Sequence, residues 1–234
     1  MRAILNREFG AYFHSMLGYV FLTLFLLLGG VMFFMQNILR LNASMTGFFS
    51  NMVSWAIFLL PILTMRLFAE DRKSRTEQLL LTAPVSIPEI VLGKFLGAFG
   101  IFLCAMLLFL FYPVVLSFFG TVPVAETVSC FVGFILFCAG ILSIGALLSS
   151  VTESQIVAAV GTYAIMIIMM FLSSIARGSG IAWISTLMAW ISPLDRFYDF
   201  TRGILNLESV VYYLSLIGLM LFFTARVFEK RRFH

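Results

Sequence analysis

Charge is scarce in this 234-residue chain: Asp, Glu, Lys and Arg together make up 11% of it. A soluble domain carries about a quarter of its residues as charges to cover its surface, so water is not the main solvent of this fold. Histidine is limited to His14 and His234, and cysteine to Cys104, Cys130 and Cys138. That supply gives no cysteine pair with metal-ligand spacing and no nucleophile–base constellation of the kind a membrane hydrolase needs. The cysteines lie within apolar runs and read as small buried hydrophobes; His14 reads as an interfacial polar residue. There is no GxxxxGK[ST] phosphate loop, which removes that route to binding ATP. Short alternating segments, the mark of a β-barrel, do not occur either.

What the chain has is apolar length. Hydrophobic residues make up 62% of it, and the mean hydropathy is +1.06. Long apolar runs with polar breaks predict an all-α integral membrane protein, because a helix satisfies its own backbone hydrogen bonds inside hydrocarbon. A span takes roughly 20 apolar residues. Six transmembrane helices are expected, over Leu17–Met35, Phe48–Met65, Phe95–Phe119, Thr127–Leu148, Ile156–Ile175 and Val210–Val227. The second carries Asn51, Ser54 and a kinking Pro61. The first is too long for a signal peptide and is expected to stay in the mature protein. No Asp, Glu, Lys or Arg sits mid-span; Glu126 and Glu153 lie at span ends. Transporters driven by ion gradients usually place ionisable groups near the midplane. Active transport by this chain would therefore draw its energy from another subunit.

Orientation follows from the cations at the span ends. With the N-terminus inside, Arg2, Arg7, Arg66, Arg72, Lys73, Arg75, Lys94, Arg226, Lys230, Arg231 and Arg232 fall on inner segments. Only Arg40, Arg177, Arg196 and Arg202 fall outside. Both termini are expected in the cytoplasm. Residues 1–16 read as an interfacial amphipathic helix, with Ile4, Leu5, Phe9 and Tyr12/Phe13 at helical spacing and Arg2, Asn6, Arg7 and Glu8 among them. Small residues recur in register in spans four and five: Gly133 and Gly140, then Ala139, Ser143 and Ala146, then Ala158, Gly161 and Ala164. Such faces let helix backbones approach, so packing is their expected role, with a substrate path as the alternative.

The longest inner segment, residues 66–94, carries Asp71/Arg75 and Lys73/Glu77 at i,i+4, where opposite charges pair on one helix face. Leu79, Leu80 and Leu81 close an apolar patch, and Ala83-Pro84 ends the helix. Ser86 opens the next, with Pro88 in its first turn and Glu89 placed for a capping box. Two short helices just inside the membrane are predicted; a solvated loop is the alternative.

Read in order, Glu70, Arg72, Thr76, Leu79-Leu80-Leu81-Thr82, Pro84-Val85-Ser86 and Glu89-Ile90-Val91-Leu92-Gly93-Lys94 closely resemble type-2 (ABC-2) exporter permeases. The likeness is greatest to the branch with gliding-motility and copper-maturation permeases. Ser149–Ile156 is similar to that family's short inner turn, and Ser192–Gly203 to its outer segment before the last span. The resemblance implies that the 66–94 loop forms a coupling helix docking on a separate cytoplasmic ABC ATPase, in a unit of two permeases and two ATPases. It implies that Glu70, Arg72, Lys73, Thr76, Glu77 and Gln78 face the ATPase, with Glu153 in a second, smaller contact. Leu79, Leu80, Leu81, Pro84, Glu89 and Lys94 would anchor the loop to the bundle. No catalytic, cofactor or metal residue is implied in this chain; ATP and Mg2+ would enter through the partner.

The outer segment 176–208 holds Ser192 as an N-cap, Pro193 at the first helical position and Asp195 in the first turn. A short helix is predicted with Leu194, Phe197, Tyr198, Thr201 and Leu205 on one face and Asp195, Asp199 and Arg202 on the other. The resemblance makes it part of the outer gate; an interfacial helix with aromatic anchors is the alternative. A passive channel or scaffold fits the lack of buried charge equally well, though it leaves the inner loop without a purpose. Partners expected are the ATPase, a second identical or paralogous permease, membrane lipids and an accessory protein with an outer domain, with no nucleic acid. An apolar interface suits a lipid, a peptide or a hydrophobic drug, or a machine that translocates nothing.

Overall fold

A computed structural model describes residues 2–13, 15–73, 86–178, 190 and 192–232 of the protein. Its helices run in order α1 (Arg2–Phe13), α2 (Met16–Phe33, continued by a π-turn over Phe34–Ile38), α3 (Thr46–Thr64), α4 (Ala69–Lys73), α5 (Ile87–Phe109), α6 (Phe111–Ser117), α7 (Val124–Val151), α8 (Gln155–Gly178), α9 (Pro193–Thr201) and α10 (Leu207–Arg232). No strand occurs among the described residues.

Five stretches are long and apolar enough to cross a membrane: Met16–Ile38, Thr46–Lys73, Ile87–Ser117, Val124–Val151 and Leu207–Lys230. The expected fifth span coincides with α8, whose apolar portion among the described residues is the shorter Gln155–Phe171. Boundaries move where local chemistry decides. The third stretch breaks once, at Leu110, between α5 and α6. Pro113 explains the break, since it has no N–H for the carbonyl four residues back and its ring crowds that carbonyl. Pro61 sits inside α3, with Met65 N–H bonding back to its carbonyl at 2.9 Å.

α7 is the hub, packed by α10, α3, α9, α8 and α5. Lipid tails are as apolar as a protein interior, so helices in a bilayer are held by close packing rather than by escape from water. The small residues of α7 supply that closeness in three directions. A Cβ on Gly133 would lie 2.5 Å from the Phe200 ring of α9, and one on Gly140 would lie 3.4 Å from Leu216 of α10. On Gly145 it would collide with the Thr64 side chain of α3. Gly133 and Gly140 thus have the packing role expected of them, and Gly145, outside the expected small-residue stripe, has it too. In α8, Ala158 is buried but Ala164 is exposed, so its small stripe packs only in part. Around the hub, Phe25, Phe48, Phe49, Phe102, Phe109 and Phe134 are fully buried. Stacked and edge contacts such as Phe25–Phe109 (5.4 Å) and Phe49–Phe134 (5.3 Å) join α2, α3, α5 and α7.

Gly145→Ala is expected to destabilise the bundle by about 1–3 kcal/mol, the usual cost of overpacking a filled site. Thr64→Gly in the same chain, which also removes the Thr64 Cβ 2.7 Å from the added methyl, should restore part of that loss. Equilibrium unfolding in mixed micelles measures both, and an unchanged midpoint for the single variant would contradict the packing described.

Candidate functional site

The end of the bundle where α3 stops and α7 finishes is built by side chains far apart in sequence. After Thr64 the chain turns through residues 65–68 and starts the five-residue α4. A helix this short needs its first N–H groups satisfied from outside. Ser149, near the end of α7 and 1% exposed, does this: its Oγ accepts from Phe68 N–H at 3.0 Å and Ala69 N–H at 3.1 Å, and donates to Met65 O at 3.3 Å. A hydroxyl of one span therefore caps the helix that leaves another. Glu70 and Asp71 occupy the first turn of α4 and Arg72 and Lys73 its last, the order that suits a helix dipole.

Each α4 charge has a defined setting. Glu70 is ion-paired with Arg66, one turn back. Arg72 pairs with Glu153 at 2.8 Å and donates to Val151 O at 3.0 Å. The first half of the inner loop and the α7–α8 turn are thus locked together, two regions that the resemblance treats as separate contacts. Lys73 is exposed and lines a groove of about 340 Å³ with Glu153, Ser154, Gln155 and Ile156. Asp71 points the other way and meets Lys94 Nζ at 2.5 Å.

Lys94 is the main correction to the sequence reading. It is not the loop end that precedes a span: α5 begins at Ile87, and Lys94 lies two turns inside it, 2% exposed. Its ammonium meets Asp71, Glu8 Oε1 at 3.2 Å and Leu67 O at 2.9 Å, with the Phe68 ring 5.5 Å away. It donates to Glu8 and to the Leu67 carbonyl and is ion-paired with Asp71. One buried cation thereby ties α1, the α3–α4 turn, α4 and α5. Glu8 is shared with Arg7 at 2.7 Å. α1 lies along α5, where a Cβ on Gly97 would press on Glu8 and one on Gly100 on the Phe9 ring. Tyr12 is buried and donates to Leu63 O at 3.1 Å. Burial, then the charge of Glu8, raises its phenol well above the ordinary tyrosine value, so it keeps this proton at alkaline pH.

Ser86 holds the N-cap position of α5, but the capping box is not formed. Its hydroxyl makes no cap bond, and the Glu89 N–H goes to the Ser86 carbonyl at 3.1 Å. Glu89 itself is half-buried in the first turn of α5. Thr76, Glu77, Gln78, Leu79, Leu80, Leu81 and Pro84 lie outside the described residues, as do Arg75, Ala83 and His14.

At the opposite end, Ser192 caps α9 by accepting Asp195 N–H at 3.3 Å, and Pro193 takes the first turn as expected. The buried face differs from the expected one. It is Pro193, Arg196, Phe197 and Phe200, whereas Tyr198 and Leu205 are exposed. Docking of Phe200 onto Gly133 sets this rotation, and the i, i+3, i+4, i+7 stripe that results includes an arginine. Arg196 is accommodated by Glu208 at 2.8 Å and by the Trp190 and Tyr212 rings. Asp199 accepts from Ser209 at 3.2 Å, Asp195 is half-buried and Arg202 is exposed. Glu126 accepts from Ser44 and Thr46, fastening α7 to the α2–α3 loop.

Among the described residues, no three His, Cys, Asp or Glu side chains group so as to hold a metal ion. The chemistry of the Lys94 end is ionic linkage between α1, α4, α5 and the α7–α8 turn. No match to a curated protein was found. Residues 40–227 match the profile described as ABC-2 family transporter protein. The match takes in both partners of the Arg72–Glu153 and Asp71–Lys94 pairs and most of the chain, and this multi-pass membrane protein belongs to the ABC-2 transporter family.

Proposed function

We propose that the chain is the permease subunit of a bacterial ABC exporter in the inner membrane, worked by a separate cytoplasmic ATPase. In this reading it crosses the membrane six times, with both termini and the Lys94 end in the cytoplasm. Two permeases, identical or paralogous, combine with two ATPase copies, and ATP and Mg2+ bind only to the ATPases. No reaction is catalysed by the permease, and an accessory protein with an outer domain completes the assembly. The resemblance to gliding-motility and copper-maturation permeases belongs to the same proposal.

The observation that carries it is the double tether of α4: Arg72 to Glu153 on one side, Asp71 to Lys94 on the other. A short charged helix that only met solvent would need neither. Tethered so, α4 passes a push from outside to α7 through Glu153 and Ser149, and to α5 and α1 through Lys94. Glu70, Arg72, Lys73, Thr76, Glu77 and Gln78 form the contact surface, with Glu153 at its edge. The segment with Leu79, Leu80, Leu81 and Pro84 holds the loop to the bundle. The second permease is placed against α3 and α8. Asn51 and Ser54 are exposed on the apolar α3 beside Trp55 and Phe58, and polar groups in a span are best satisfied by another helix. At the far end, α9 with Pro193, Asp195, Phe197, Asp199 and Arg202 forms an outer gate.

Purification of the tagged chain from its own membranes should bring down an ABC ATPase, and charge reversal at Lys73 or Glu77 should abolish the association. ATP turnover by the permease alone, or an association indifferent to both reversals, would overturn the reading, and recovery of the chain without any ATPase would favour an uncoupled channel or scaffold.

A further inference from the structure

A pocket of about 350 Å³ opens beside Lys94, between α1, the α3–α4 turn, α4 and α5. Six charged side chains line it: Arg7, Glu8, Arg66, Glu70, Asp71 and Lys94. The charges of Glu8, Arg66, Glu70 and Asp71 all reach the Tyr12 phenol on its wall, so these groups surround one space rather than a long surface. The framing helices set its depth. α1 ends at Phe13, just before the apolar stretch Met16–Ile38, and Leu67 lies just past the end of α3 at Thr64. Apolar helices begin and end at this level, which is that of the lipid headgroups.

The lining has hydrogen-bonding capacity that the fold does not use. A guanidinium carries five N–H donors. Arg7 gives Nη2 to Glu8 and Arg66 gives Nε to Glu70, and among the described residues neither has another acceptor. What remains on each is a planar fork of donors, the geometry that takes phosphate oxygens two at a time. Lys94 is different, being held by Glu8, Asp71 and the Leu67 carbonyl. On the acidic side, Glu70 is partly exposed. A carboxylate has about four lone-pair sites, so Arg66 does not exhaust it.

Net charge then selects among phosphates. Arg7, Arg66 and Lys94 are cancelled by Glu8, Glu70 and Asp71. Anionic headgroups are recruited by basic pockets, and this one has no excess of positive charge to offset its three carboxylates. A zwitterion adds no net charge and meets both kinds of group. A primary ammonium brings three N–H donors to a carboxylate; a quaternary one brings none.

We infer that this pocket binds the headgroup of one phosphatidylethanolamine molecule, with its phosphate on Arg7 and Arg66 and its ammonium on Glu70. Naming the leaflet the inner one rests on the orientation proposed above; the charge match does not.

The test uses the full chain alone, delipidated in detergent micelles. It is mixed with phosphatidylethanolamine, phosphatidylglycerol or phosphatidylcholine of identical acyl chains, and bound lipid is counted by native mass spectrometry. Phosphatidylethanolamine should be retained about fivefold more than either of the others, at one molecule per chain. Arg7→Gln with Arg66→Gln should lower that retention by about fivefold. Arg226→Gln, which takes an exposed guanidinium from a carboxylate outside the pocket, should leave it unchanged. Equal retention of the three lipids would overturn the site, as would retention indifferent to the Arg7 and Arg66 substitutions. Phosphatidylglycerol held more tightly than phosphatidylethanolamine would make this an anion site and overturn the zwitterion. Soluble glycerophosphoethanolamine bound as tightly as the lipid would overturn the lipid as occupant. Should the double variant not fold, Arg7→Gln alone, at an exposed position, carries the same comparison, and the wild-type ranking of lipids decides by itself. No ATPase is present, so the outcome is independent of the permease reading.

Discussion

Lys94→Met is expected to destabilise the protein by about 3–5 kcal/mol, the range for removing one partner of a buried ion pair. Methionine follows the lysine stem closely in shape, so packing alone predicts little loss. The loss comes from what stays behind. Asp71 and Glu8, whose side chains are 22% and 12% exposed, would face each other with no cation between them, and Leu67 O would lose its donor. Stability should fall in an unfolding titration. The triple variant Glu8→Gln, Asp71→Asn, Lys94→Met removes the charges together and should recover most of the stability. An unaltered midpoint for Lys94→Met would show that the buried cluster does not hold α1 and α4 to α5. A triple variant no better than the single one would assign the loss to packing.

The elements that sequence made legible are those whose signals are local. Apolar runs located the five long apolar stretches, the third of which starts at Ile87 rather than Phe95, because the period and length of a membrane helix are imposed by the bilayer. Ser192-Pro193 with Asp195 announced the start of α9 through cap chemistry confined to one turn. Lys94 was not legible as a buried hub. A lone cation among apolar residues reads as the end of a span, and its partners Glu8 and Asp71 lie 86 and 23 residues away. Arg72 and Glu153 were both named from the resemblance, but charge-spacing rules reach only three or four residues along a helix, so their pairing across 81 residues was invisible. Arg196 shows the same limit. It counted as one of four outer-segment cations, and its burial depends on Phe200 finding Gly133. In each case the missing information is tertiary: which helix faces which.

Arg72→Glu should cause the largest functional loss, with ATP hydrolysis and transport uncoupled in the assembled complex. The substitution turns the Arg72–Glu153 attraction into a repulsion between two carboxylates and also removes the donor to Val151 O. Arg72 and Glu153 are partly exposed, at 28% and 69%, so the pair contributes little to folding. Its importance in the proposed function is geometric, since it fixes α4 to the α7–α8 turn. Protein levels and thermal stability should therefore stay near wild type while permease-stimulated ATPase turnover falls by about tenfold or more, as expected when a positioning contact is lost. The swap Arg72→Glu with Glu153→Arg recreates the attraction in reverse and should restore part of the stimulation. Restoration stays partial because glutamate cannot donate to Val151 O. Lys94→Met is read out in stability and Arg72→Glu in coupling, so the two variants separate the tether that builds this end of the bundle from the one that transmits through it. Full stimulation in the Arg72→Glu complex would mean that α4 drives the bundle through Asp71 and Lys94 alone.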